Sequence, residues 1–102
     1  MCWATDEFVV IGTEPGNGGP PLSLLARETD GELVYAGSAF VTLGQPERDL
    51  FWSRTAELAS EKVLDHLRNK NASWCRPEMR VQVRYLRGGG MLRHAIVAAV
   101  LG

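Results

Sequence analysis

The chain has 102 residues, 45% of them hydrophobic and 23% charged, with a formal net charge of −1 and two cysteines. That is the composition of one ordinary globular domain, 1–102, and two thiols far from any CxxC spacing exclude a disulfide framework. No apolar run approaches the roughly 20 residues of a bilayer span, and MCWATDEF lacks the basic and apolar regions of a signal peptide, so no membrane association and a cytoplasmic location are expected.

Charge is unevenly placed. From Ser73 onward there are five arginines and one acid, a balance of +4, whereas the preceding residues carry −5. An arginine-only basic tail supplies the minimum for attracting phosphate, although on charge alone a solvated strand face is the favoured reading.

Along the chain, Glu7 to Gly12 (EFVVIG) reads as a buried strand closed by glycine. Thr13 to Pro21 is a Pro/Gly loop with Asn17-Gly18 inside it. It carries neither GxGxxG nor GxxxxGK[ST], and a strand rather than a helix follows it, so it is not a phosphate-binding loop. Leu22 to Gly37 is the clearest local signal, because Asp30-Gly31 between two apolar runs predicts a hairpin with a type I′ turn. Outward from the turn the expected pairs are Arg27 with Val34, Ala26 with Tyr35, Leu25 with Ala36 and Leu24 with Gly37. Leu24, Ala26, Leu33 and Tyr35 then share the core face, and Arg27 falls on the outer one.

Pro46, the acids Glu47 and Asp49, and the bases Arg68 and Lys70 predict a helix from about Pro46 to Asn69. Its apolar stripe is Trp52, Ala56, Ala59, Val63 and Leu67, with Phe51 and Leu58 beside it. Trp74 to Glu78 then introduces a strand through a proline that has no place in the middle of a ladder. Met79, Val81, Val83 and Tyr85 alternate with Arg80, Gln82, Arg84 and Leu86, a half-buried strand with a basic outer face. Gly88-Gly89-Gly90 is a turn, and Met91 to Leu101 is the last strand. Five strands with one helix between the third and fourth predict an all-β, five-stranded OB-fold Greek-key barrel.

Several stretches together resemble a known family: Glu7 to Gly12, Pro15-Gly16, Leu22 to Leu25, Leu33-Val34-Tyr35-Ala36-Gly37, Trp74-Cys75-Arg76-Pro77-Glu78 and Leu92-Arg93-His94. In this order and at about this spacing the chain resembles the C-terminal OB-fold domain of ATP-dependent DNA ligases, particularly the bacterial end-joining ligase D type. In such ligases this domain follows the nucleotidyltransferase domain and grips duplex DNA across the minor groove at a nick. The resemblance implies duplex or nicked DNA as a partner, a separate ligase adenylation domain as another, and nucleic-acid contacts at Arg27, Arg76, Arg80, Arg84 and Arg93. Arginine contacts to phosphate would be bidentate, independent of sequence and weakened by salt.

Departures from the family narrow the expected activity. Neither Lys62 nor Lys70 opens the Lys-x-Asp-Gly pattern of the ligase nucleophile, and the terminal Arg-x-Asp-Lys pattern is absent. No carboxylate pair, nucleophile triad or ligand cluster is legible, and His66 and His94 read as ordinary side chains. No catalytic residue, cofactor site or metal site is therefore expected. Two functions remain: a non-catalytic DNA-binding module assisting ligation or repair in trans, or a protein-interaction or remnant domain that has lost its DNA surface.

Overall fold

The computed structural model describes residues 3–16, 18–64, 67, 71–87 and 91–102, with the backbone alone at Arg93 and His94. Cys2, His66, the Arg68 and Lys70 helix-end signal, Asn17 of the loop and the Gly88-Gly89-Gly90 turn lie outside the described residues. The elements run β1 (Trp3–Glu14), β2 (Leu22–Thr29), β3 (Glu32–Phe40), α1 (Glu47–Glu57), β4 (Ser73–Leu86) and β5 (Arg93–Val100). The strands close a ring in the order β1-β2-β3-β5-β4, with β3 and β5 parallel and every other pair antiparallel. This is the expected OB-like barrel, with its helix between the third and fourth strands. Among the described residues no helix is long and apolar enough to cross a membrane.

The hairpin forms where its turn residues place it. Asp30 and Gly31 take φ values of 51° and 80°, the left-handed geometry that a type I′ turn demands. Arg27 pairs with Val34 and Ala26 with Tyr35, but a bulge between Leu25 and Ala26 then sets Leu25 opposite Gly37 and Leu24 opposite Ser38. The bulge adds Ala36 to β3 and bends the hairpin into the ring.

Both faces of β2 are covered, which corrects the expected core face. Leu25 enters the main core with Phe8, Val10, Met79, Val81, Val83, Ala95 and Val97 inside the barrel. Leu24 and Ala26 belong to a second cluster with Ile11 and Leu67, flanked by Leu33, Tyr35, Val63, Leu64 and Trp74. The face read as the barrel interior is thus its outer wall, roofed by the segment before β4.

That roof also explains why the helix is shorter than its apolar stripe predicts. α1 stops at Glu57; Leu58 has left helical geometry at φ −93° and ψ 7°, and Ala59 bridges Cys75 instead. The Ser60 amide donates to the Trp74 carbonyl at 3.0 Å and the Arg76 amide donates to the Leu58 carbonyl at 2.8 Å. Further on, the Lys62 ammonium donates to the Leu67 carbonyl at 2.9 Å, and Val63, Leu64 and Leu67 pack on the second cluster. The stripe from Trp52 to Leu67 therefore serves two cores, and tertiary burial of Val63 and Leu67 outweighs helix propensity. Within the helix the buried side chain is Phe51, not Trp52.

Pro77 lies inside β4, at its irregularity. Val10 pairs with Met79 and Gly12 with Trp74, so Cys75 to Glu78 face the single residue Ile11 and carry no rung of that ladder. A residue without an amide hydrogen is accommodated there at no cost to the sheet.

Cys75, turned into the core, is 1% exposed, and its thiol donates to the Val10 carbonyl at 3.5 Å. Burial pushes this thiol up from 9.0 to about 11. The folded chain is therefore expected to resist alkylation at Cys75 at pH 8 and to react once denatured, read by mass spectrometry. Because the unfolded thiol ionises first, stability is expected to fall as pH rises from about 9 toward 11.

Candidate nucleic-acid interface

Strict alternation in β4 points Met79, Val81 and Val83 inward and leaves Arg80, Gln82 and Arg84 on the outer face. Their cross-strand neighbours on β1 are Val9, Glu7 and Thr5, in that order. Arg80 reaches diagonally to Glu7, with 3.2 Å between nitrogen and oxygen. Arg84 instead lies over the Trp3 ring, 4.9 Å from its centroid. No carboxylate pairs with Arg84 among the described residues, and stacking on an aromatic face leaves the donors around the edge of the guanidinium available.

Arg76 and Arg27 stand apart from this pair. Arg76 sits in the irregular stretch beside Pro77 and pairs with Glu78 at 3.4 Å. Arg27 is not on the outer face expected of it. Its guanidinium lies 4.7 Å from the centroid of the Phe8 ring, which belongs to the barrel core, and 3.8 Å from Asp6. It also donates to the Tyr85 hydroxyl at 3.5 Å, and that hydroxyl donates in turn to Asp6. Arg27 therefore closes the mouth of the barrel away from α1. The backbone of Arg93 pairs with Leu86 on β4, and its side chain is outside the described atoms.

Three of the four described candidates thus carry a carboxylate. The side chains in these pairs are 46% to 62% exposed, so each pair is worth at most about 1 kcal/mol and yields readily to a phosphate. The carboxylates still lower the field, which leaves Arg84 as the one of these four without an acidic partner among the described residues.

A cleft of about 530 Å³ opens beside Arg27, lined by Val34, Tyr35, Ala36, Tyr85, Arg87, Met91 and Leu92 among others. Burial, and secondarily the charge of Glu14, raises the pKa of the Tyr35 hydroxyl, which stays a neutral donor. Among the described residues no group of three or more His, Cys, Asp or Glu side chains converges as metal ligands would.

Trp3 and Arg87 are the additions to the residues read from sequence. Trp3 is 46% exposed, and the period-two alternation running back from Glu7 through Thr5 would have placed it on the outer face. Arg87 carried no such signal, because it reaches the cleft only through the way β4 leaves the barrel.

No family model matches the chain, and no curated protein does. Solved structures do. The ligase domain of M. tuberculosis LigD superposes with a TM-score of 0.80 at 24% identity, covering 97% of this chain and 35% of that one. A mycobacterial DNA ligase D complexed with ATP and MES gives a TM-score of 0.78 at 25% identity, with the same coverages of 97% and 35%. The chain spans about a third of the length of these structures, and over that third its barrel has a DNA-ligase-related fold.

Proposed function

We propose that the chain is a non-catalytic DNA-binding module equivalent to the C-terminal OB-fold domain of an end-joining ligase, acting on duplex or nicked DNA in the cytoplasm beside a separate adenylation domain. The observation that carries this reading is the Arg80 and Arg84 face, two exposed guanidinium groups two strand periods apart, on either side of Gln82, on a barrel superposable on ligase D. Arg84, held flat by Trp3, is the strongest candidate for a phosphate; Arg80 can exchange Glu7 for one. Arg27, Arg76 and Arg93 are peripheral contributors in this reading.

Fluorescence anisotropy with nicked duplex DNA at two salt concentrations tests it. Binding should weaken with salt, and Arg80→Ala/Arg84→Ala should lower the logarithmic salt slope by about two, one for each phosphate that no longer has its arginine. A chain that ignores nicked duplex at low salt, or binds it equally well without both arginines, removes the proposal. The second reading, an interaction or remnant domain, is favoured by one specific observation: Arg27, Arg76 and Arg80 each face a carboxylate of their own chain.

A further inference from the structure

The cleft at the barrel mouth is separate from the Arg80 and Arg84 face and has a chemistry of its own. Its walls combine two guanidinium groups, Arg27 and Arg87, with the apolar side chains of Val34, Met91 and Leu92 and the ring of Tyr35. No carboxylate lines it among the described residues. Asp6 stands behind Arg27 at 3.8 Å and offsets part of that charge, whereas Arg87 has no ion pair among the described residues. Val34 and Met91 are 51% and 56% exposed, which leaves an apolar wall wet beside two cations. A volume of about 530 Å³ falls within the roughly 300–1,000 Å³ of small-ligand sites.

We infer that this cleft takes a single unpaired nucleotide at the end of a DNA strand. Its base lies against Val34, Met91 and Tyr35, and its phosphate meets Arg27 and Arg87. A planar, weakly solvated ring joined to an anion is the one nucleic-acid component that satisfies both walls, since a duplex offers phosphates but keeps its bases stacked. Duplex held on the outer face and an unpaired end held in the mouth are then two engagements of one substrate. The cleft thus rests on and deepens the DNA-binding reading, and can be tested apart from it.

The test is an amide chemical-shift titration of the isotope-labelled chain with a thymidine dinucleotide bearing a 5′-phosphate, with inorganic phosphate in a parallel arm. Saturable shifts at Tyr35, Ala36 and Leu92 are expected with the dinucleotide and not with phosphate. Arg87→Glu should weaken the dinucleotide at least about tenfold, the effect of removing one charge-assisted hydrogen bond. The same spectrum reports whether the variant is folded. Shifts confined to the surroundings of Arg80 and Arg84, identical shifts with phosphate alone, no shifts, or an affinity unchanged in Arg87→Glu would each overturn the inference. Arg80→Ala/Arg84→Ala should leave dinucleotide binding intact, so a failed outer face and a failed cleft give different results.

Discussion

Phe51→Ala is expected to cost about 3–5 kcal/mol, the range for emptying a fully buried aromatic site. Phe51 is 0% exposed and is the single buried residue of α1, packed in the main core with Val41, Leu43 and Leu58. Its ring meets Trp52 edge to face with centroids 5.0 Å apart, and the substitution removes that stacking as well. At the end of the barrel under α1 Trp52 also packs against the core cluster but stays half-buried, whereas Phe8 and Tyr85 stack with each other toward the mouth. A domain whose whole stability is on the order of 5–15 kcal/mol would lose a large share of it. Urea unfolding followed by far-ultraviolet circular dichroism should show the midpoint falling with an unchanged slope. Trp52→Ala, which empties a half-buried site, should cost less; a reversed order would show that Trp52 is the true plug.

Gly37→Ala is expected to destabilise the fold by about 1–3 kcal/mol, the usual cost of forcing a residue with a side chain into a sparsely populated backbone region. Gly37 has φ +124°, and a methyl group there would stand 3.0 Å from the Leu92 amide nitrogen and 3.2 Å from the Leu92 Cβ. The same Leu92 amide donates to the Ala36 carbonyl at 2.9 Å. Beside it, β3 and β5 share a single ladder pair, Phe40 with Ile96. This is the seam at which the ring closes, and the methyl group strikes its thinnest point. Hydrogen exchange should therefore speed up at Leu92 well before the β1 and β4 amides, and uniform loss of protection would argue that Gly37 acts on the whole fold instead.

Much of the architecture was legible because it is written in short-range signals. Asp30-Gly31 dictated the turn, and alternation from Met79 to Tyr85 dictated which face of β4 carries arginine. What the sequence hid was long-range. The bulge beyond Arg27 answers the curvature of a closed ring, and the end of α1 answers the need to cover Leu24 and Ala26. The side of β2 that carries Arg27 is hidden for the same reason: with both faces of β2 buried, alternation alone does not say which one is the barrel interior. The arginines of β4 follow from its alternation, but the carboxylates facing Arg27 and Arg80 come from β1, far away in the chain, and no local pattern announces them.

The irregular stretch around Pro77 passes β4 from β1, at Ser73 and Trp74, to the residues just after α1, Leu58 and Ala59, at Cys75 and Arg76, and back to β1 from Met79 onward. The plug is accordingly wired to the strand that presents Arg80 and Arg84, and a load that pulls α1 outward is carried by main-chain bonds of that strand. Helix and arginine face make one mechanical piece, and a partner that seats against either would stiffen the other.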